Sequence, residues 1–427
     1  MGAEGYSRMQ PHVIGVIADD LTGAADTAAA LARPGWPAAV SLDALPRAHE
    51  GRRAFAVTTD SRSCSPERVY DLACGSVEAL RAAGGTLIYK KVDSNLRGNI
   101  GAELAAVQNV TSRPVLFAPA FPARERTIMQ GICLVCGTPV AETEMARDPE
   151  APVTESDVLA LLKCQREDLE VFACPLSVVR AGSLGMRVSI PQRGVLLIDA
   201  ETDADLDAVA EIALSLDPAP ALAGSAGFAG ALARRLWGPA VSPRWPPDRF
   251  GHSLAVLASS SEILTTQVEM ASRVGFATIP FPCQNLTRGD QPLPELGEAI
   301  ERISAGLAAG RDAVVYATGP LPDVERPVEL VVEHLAHLAY VVTREVAPNG
   351  LLVGGGSTAQ AVLESLGVEA LEVDHEPLPG IAAGSLLGGS LSGHPVVLKP
   401  GAAGSETAIV QILDYLSHRQ PVRAAER

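Results

Sequence analysis

The sequence predicts an α/β protein of two domains, each a mostly parallel sheet flanked by helices. Short β-branched apolar runs alternate with longer Ala- and Leu-rich helical patterns, the sequence form of βα units around a parallel sheet. Aromatic residues make up only 4% of the 427 residues while hydrophobic residues reach 47%, which suits buried parallel strands and small-residue helices better than an aromatic-rich sandwich. Pro239, Pro243, Pro246 and Pro247 then interrupt the pattern, a density that neither helix nor central strand tolerates. Residues 238–250 are therefore read as a linker between domains over 1–237 and 251–427.

Each element follows from its own run of residues. Val13-Ile14-Gly15-Val16-Ile17-Ala18 predicts the first strand, and the run 23–33 a helix that Pro34 stops. Further strands are predicted over 53–58, 86–90, 115–118 and 194–200. Thr154-Glu155-Ser156-Asp157, ahead of the apolar run 158–162, has the form of a capping box opening another helix. Beyond the prolines the alternation restarts, with strands over 253–258, 276–280 and 313–318 and helices over 262–273, 296–309 and 324–339. The charged tail 419–427 is expected to fray.

Composition narrows the function classes. A formal net charge of −16 argues against a nucleic-acid backbone or an anionic membrane as partner. A small anionic ligand requires a local basic pocket inside this acidic molecule. No charge-free apolar window of about 18 residues occurs, and residues 1–8 lack the apolar core of a signal peptide, so the cytoplasm is the expected compartment. Seven cysteines, an odd number, fit a reducing compartment rather than a disulfide framework. Cys133 and Cys136 form one CxxC without a second ligand pair and are read as ordinary core thiols. His334 and His337 lie in a helix-like run and are read as surface or half-buried rather than as metal ligands. The number of subunits is open, a homo-oligomer included.

The residues that carry chemistry follow predicted strands. Ala18-Asp19-Asp20-Leu21-Thr22-Gly23-Ala24-Ala25-Asp26 comes directly after the first. Ligands of open parallel sheets gather at C-terminal strand ends, where paired carboxylates bind substrate hydroxyls, position a metal or accept a proton. Taken alone, Asp20 or Thr22 would equally serve to cap the next helix. The segment lacks GxGxxG, which weakens a dehydrogenase reading. Lys90-Lys91-Val92-Asp93-Ser94-Asn95-Leu96-Arg97-Gly98-Asn99 packs cations, a carboxylate and hydrogen-bonding side chains onto one strand-to-helix turn, the basic pocket that the charge argument requires. Pro119-Ala120-Phe121-Pro122-Ala123-Arg124-Glu125-Arg126-Thr127, with Glu142-Thr143-Glu144-Met145-Ala146-Arg147-Asp148-Pro149 after it, reads as a proline-stiffened loop in which Arg126 suits bidentate pairing with a carboxylate.

The second half supplies two glycine turns. Leu351-Leu352-Val353-Gly354-Gly355-Gly356-Ser357-Thr358-Ala359 is an apolar strand, a turn and a helix start, presenting backbone amides and a helix dipole to phosphate. No Gly-Lys-Ser/Thr follows, so it is not a Walker motif. Leu398-Lys399-Pro400-Gly401-Ala402-Ala403-Gly404 is the other, with Lys399 a candidate point charge for a nucleotide.

The first-half segments, with Ala223-Gly224-Ser225-Ala226-Gly227, resemble in order and spacing the successive motifs of the four-carbon acid sugar kinase family. The resemblance implies a sugar-acid-binding domain over 1–237 and a nucleotide-binding domain over 251–427. It also implies ATP-dependent phosphorylation of the terminal hydroxyl of threonate, erythronate or 3-oxo-tetronate. Two turns depart from the family pattern. Similar proteins tend to carry Gly-Ser-x-Ser-Pro and Lys-Ser-Gly where this chain has Ala258-Ser259-Ser260-Ser261-Glu262 and Lys399-Pro400-Gly401. A non-catalytic sugar-acid sensor with a degenerate nucleotide site is therefore the alternative.

Phosphoryl transfer needs neutralised phosphates and an aligned hydroxyl more than covalent chemistry. The expected assignments are Asp93 as base or hydroxyl orienter, with Asp20 as runner-up, and Arg97 and Arg126, with Lys91 nearby, on the substrate carboxylate. Asp19, Ser94, Gly98 and Asp148 complete the substrate side, one of the Asp19/Asp20 pair reaching substrate or a magnesium ion. ATP is expected on Ser259, Ser261, Gly354, Gly355, Gly356, Ser357, Thr358, Lys399, Gly401 and Gly404, with Mg²⁺ bridging its phosphate oxygens. No dedicated protein metal site is expected.

Overall fold

A computed structural model describes residues 12–417, apart from 34, 48, 182–191, 240–250, 260, 285 and 288–293. The helix stop at Pro34, most of the expected linker, Ser260, the first eight residues and the tail 419–427 lie outside the described residues.

The first half contains β1 Ile14–Ala18, β2 Ala38–Ser41, β3 Ala54–Thr58, β4 Leu87–Lys91, β5 Val115–Ala118, β6 Arg126–Met129, β7 Ile132–Val135, β8 Thr138–Pro139, β9 Val171–Cys174, β10 Val195–Ile198 and β11 Ala221–Gly224. The second contains β12 Leu254–Leu257, β13 Ala277–Pro282, β14 Ala313–Thr318, β15 Leu351–Gly354, β16 Val368–Leu378, β17 Ile381–Gly388 and β18 Pro395–Lys399. β1, β4 and β15 are buried along their whole length, which is why they read as continuous rather than alternating runs.

Among the described residues fifteen strands form one sheet, in the order β13-β14-β12-β15-β18-β17-β16-β2-β3-β1-β4-β11-β5-β10-β9. The two predicted parallel blocks are present: β2 to β9 in that order run parallel, as do β13 to β18. The antiparallel hairpin β16–β17 joins them. β17 pairs with β18, and β16 pairs with β2, Ala370 opposite Ser41 and Glu372 opposite Ala39. The sequence reading had no element here. Its physical role is to cover the short edge strand β2, which would otherwise present unpaired backbone groups. Arg52 Nη2 donates to Glu372 Oε2 at 2.5 Å, and Gln360 Nε2 to Leu42 O at 2.6 Å, fastening the same seam.

Two further expectations change. The capping box expected at Thr154 is replaced by Asp157 alone, whose Oδ1 accepts from Leu159 N at 2.9 Å and Ala160 N at 3.1 Å at the start of helix Val158–Gln165. A capping box stands instead at Thr202 and Asp205, opening helix Asp203–Ser215. The expected loop after β5 folds as a small antiparallel sheet, β6-β7-β8, bridged to the main sheet through Ile128 and Ala200. Glu125, at φ +57°, reverses the chain ahead of β6. Cys133 is buried as expected of a core thiol, whereas Cys136 is exposed at the β7–β8 turn. On helix Pro327–Glu345, His334 is half-buried and His337 exposed.

Candidate active site between the two parallel blocks

Loops at the carboxyl ends of both blocks line one cleft, with Asp20, Thr22, Arg62, Arg97 and Asp148 on one side and Ser259, Gly355, Gly356, Ser357, Thr358 and Gly401 on the other. This is where open parallel sheets bind ligands.

Asp20 caps the next helix, one of the readings the sequence allowed, and it also lines the cleft. As N-cap of helix Leu21–Leu31, its Oδ1 accepts from Gly23 N at 2.9 Å, while Oδ2 accepts from Thr22 Oγ1 at 2.7 Å and Arg62 Nη1 at 3.0 Å. Arg62 also grips Asp19 in a bidentate pair, Nε to Oδ2 at 2.7 Å and Nη2 to Oδ1 at 3.0 Å. Burial alone would raise the Asp19 carboxyl, but Arg62, helped by Lys90 and Lys91, holds it below the usual carboxylate range. Gly98 backs onto this pair: a β-carbon built there would lie 3.0 Å from Asp19 Oδ2. Beneath, Lys90 Nζ lies 2.7 Å from Glu103 Oε1.

The turn after β4 gathers the second set. Arg97 Nε donates to Asp93 Oδ2 at 2.6 Å and Nη1 to Asp148 Oδ2 at 3.1 Å. Burial works against an ionised Asp93 too, yet Arg97, Arg62 and Lys91 together pull its carboxyl far below the usual range. Arg126 donates to Asn95 Oδ1 at 3.2 Å and to Arg124 O. Arg97 and Arg126, expected on a ligand carboxylate, thus already have protein acceptors. Ser94 is buried, and it lines a smaller cavity next to the cleft together with Lys91, Asp93 and Arg97.

In the second half, helix Gly356–Ser365 begins at Gly355 with no side-chain cap, which leaves the amides of its first turn to a ligand. Gly355 is required by geometry: its φ is +102°, and a β-carbon would fall 2.4 Å from Ala258 O. Its own amide donates to Lys399 O at 3.0 Å, tying the two glycine turns together. Gly354 is equally tight, 2.6 Å from Leu257 Cδ2 by the same construction. Lys399 does not face the cleft. Its side chain is buried, and Nζ donates to Gly401 O at 2.9 Å, so it shapes the turn from inside. Burial and nearby Arg124 push it down to about 7. Gln267 Nε2 holds the far side of this turn through Ala403 O at 3.1 Å and Ser405 O at 2.9 Å, which places Gly404 in the turn's frame. Ser259 Oγ accepts from Ser261 N at 3.1 Å and abuts Gly401.

Sequence reasoning missed Arg62 and Asp60. Their signal was position, since both follow the end of β3 as the other site residues follow theirs. Asp60 lies at the rim, its carboxyl pushed up to about 6 by burial and by Glu364, Asp20, Glu150 and Asp19. Glu150 reaches across, accepting from Ser357 Oγ at 2.9 Å. The cleft thus combines held carboxylates able to orient hydroxyls with free amides able to bind an anion.

Comparison with known proteins agrees with this division. Residues 14–232 match the family model of a sugar-binding N-terminal domain and residues 254–409 that of a nucleotide-binding C-terminal domain. The chain is 30% identical to D-threonate kinase of Salmonella typhimurium, covering 94% of this chain and 97% of that protein. It is 30% identical to D-erythronate kinase of Heliobacterium modesticaldum, covering 94% and 96%, and 28% identical to 3-oxo-tetronate kinase of Escherichia coli, covering 84% and 97%. A crystal structure from Salmonella typhimurium LT2 shares the fold with a TM-score of 0.74 at 22% identity, covering 93% of this chain and 98% of that one. With both domain models matched in order over nearly its whole length, the chain belongs to the four-carbon acid sugar kinase family.

Proposed function

We propose that the protein transfers the γ-phosphoryl group of ATP to the terminal hydroxyl of a four-carbon sugar acid of the threonate, erythronate or 3-oxo-tetronate type. One observation carries the reading: the Asp20 carboxylate abuts the Gly356 turn, so a hydroxyl-handling group and a phosphate cradle share one cleft. The relatives support it, being kinases of such acids by name. On this reading the amides of Gly356, Ser357 and Thr358 hold phosphate, with Ser259, Ser261 and Gly401 bordering it. Gly355, Lys399 and Gly404 keep the turns in shape. Asp93 and Asp20 orient the acceptor hydroxyl, and Arg62 and Arg97, themselves oriented by Asp19 and Asp148, hold those carboxylates in place.

Among the described residues no group of three His, Cys, Asp or Glu is gathered to hold a metal. Mg²⁺ would arrive on ATP, because it is usually held by one or two carboxylates plus substrate phosphates. At the cleft, Asp60 has no donor on its carboxylate among the described residues and would be suited to it. The sensor alternative is not favoured: Pro400 removes one donor from the second turn, but the uncapped first turn of helix Gly356–Ser365 retains its amides. No helix among the described residues is long and apolar enough to cross a membrane, and the cysteine usage supports the cytoplasm. A coupled ADP-release assay across aldonates and oxo-acids tests the function. ADP release no faster with any acid than without one contradicts it.

A further inference from the structure

The charge of a sugar acid needs a partner, and Arg62 and Arg97 are already paired with Asp19, Asp20, Asp93 and Asp148. The smaller cavity beside the cleft is lined by Asp26, Lys91, Asp93 and Arg124, among others. Among the described residues neither Lys91 nor Arg124 has a side-chain hydrogen bond or ion pair, although both face this cavity. Asp26, on helix Leu21–Leu31, is 4% exposed, and its Oδ1 has no hydrogen-bond partner. A buried carboxylate without a donor calls for one.

Arg124 is placed by both halves of the chain. Its backbone N donates to Phe121 O at 2.9 Å within the turn that Glu125 reverses. Its guanidinium rests on the β16–β17 turn, where a β-carbon built on Gly380 would fall 2.7 Å from Nη1. With Asp93 answered by Arg97, Lys91 and Arg124 are the cations lining this cavity that have no acid partner, while burial pushes the carboxyls of Asp26 and of Glu376, which lies near Asp26 and Arg124, upward.

We propose that Lys91 and Arg124 hold the substrate carboxylate while Asp26 accepts a hydrogen bond from one of its hydroxyls. The cavity then selects a short polyhydroxy acid over its uncharged amide. This rests on the kinase reading of the cleft, but binding can be measured apart from turnover.

The test uses the full chain, its Arg124→Gln, Arg124→Lys and Asp26→Asn variants, and threonate, erythronate and threonamide as probes. Calorimetry without nucleotide and steady-state kinetics with ATP·Mg²⁺ are read together. Arg124→Gln is expected to weaken acid binding and raise the KM for the acid about ten- to a hundredfold, with kcat and the KM for ATP within about threefold of the parent. Arg124→Lys recovers part of the loss. Asp26→Asn weakens acid and amide alike, and the parent binds threonamide as poorly as Arg124→Gln binds threonate. Unchanged acid binding in Arg124→Gln overturns the proposal. So does a fall in kcat with KM intact, which would put Arg124 on the transferring phosphoryl group. If the parent binds acid through Arg124 but releases no ADP, the kinase reading falls and this cavity stands. If the parent binds no acid, the cavity assignment falls whatever ATP does.

Discussion

The carboxylate of Asp20 and the backbone of Gly356, from opposite halves of the chain, lie in direct contact: a β-carbon built on Gly356 would fall 2.5 Å from Asp20 Oδ2. Asp20 cannot yield, because Gly23, Thr22 and Arg62 all bond its two oxygens. Gly356→Ala should therefore push the Gly354–Gly356 turn away from Asp20. We expect kcat/KM to fall about ten- to a hundredfold, the scale of a displacement of about 1 Å. The melting temperature should fall as well, because relieving this contact against a fixed carboxylate costs more than the better helix propensity of alanine returns. Kinetics beside a thermal melt separate the two effects.

Arg62→Ala should destabilise the protein by about 3–5 kcal/mol at neutral pH, because it strands buried carboxylates without their cation. The pH dependence has a definite sign. Asp19 and Asp93 have carboxyls held below their usual range, so the stability they contribute is present above an unfolded value of about 4 and lost as pH falls through the folded values. Arg62 supplies part of that depression. Urea unfolding at pH 7 and near pH 3 should show a large gap between variant and parent that narrows on acidification.

Asp93→Asn should lower kcat about a hundredfold, the range for a lost positioned group, with little change in ATP affinity. Since Arg97 keeps Asp93 ionised far below neutral pH, the parent's rate should show no limb from this residue between about pH 5 and 8. Of the groups shifted into that range, Asp60, at about 6, lines the cleft, whereas Glu103, Glu376 and Lys399, each at about 7, do not. The kcat/KM for ATP·Mg²⁺ should rise with pH through about 6, and Asp60→Asn should abolish that rise. A pH–rate profile of the three proteins checks both statements.

A hydrogen-bonded chain links the two sides of the cleft. Arg97 pairs with Asp148, whose Oδ1 accepts from Glu150 N at 3.0 Å, and Glu150 accepts from Ser357 Oγ. Glu150→Ala should leave each ligand able to bind alone but reduce the gain in affinity for one when the other is present, by about threefold for so exposed a contact. Titrations of each ligand with and without the other measure it.

Strands β1, β3, β4, β5, β12 and β14 were legible because each is a short buried apolar run ending in turn chemistry. The glycine turn at Gly354–Gly356 was legible for the same reason. What was hidden is tertiary. Arg62 matters through contacts 42 and 43 positions away along the chain, and no local pattern announces such a pair. Lys399 looked like a cleft cation because sequence shows its position after a strand but not that its side chain turns inward. The β16–β17 hairpin carried a signal that went unused, Pro379-Gly380 ahead of the apolar run 381–387. Its pairing with β2, more than 300 residues earlier in sequence, could not be read at all.

On the proposed function, the cleft joins ATP to a sugar-acid hydroxyl. Phosphorus-31 NMR of the protein with ATP·Mg²⁺ and threonate, erythronate or 3-oxo-tetronate tests it most directly. The expected result is ADP appearing together with an equal amount of a new phosphomonoester coupled to the protons of a terminal CH₂. ADP accompanied only by inorganic phosphate, or unaltered ATP beside a bound acid, would contradict it.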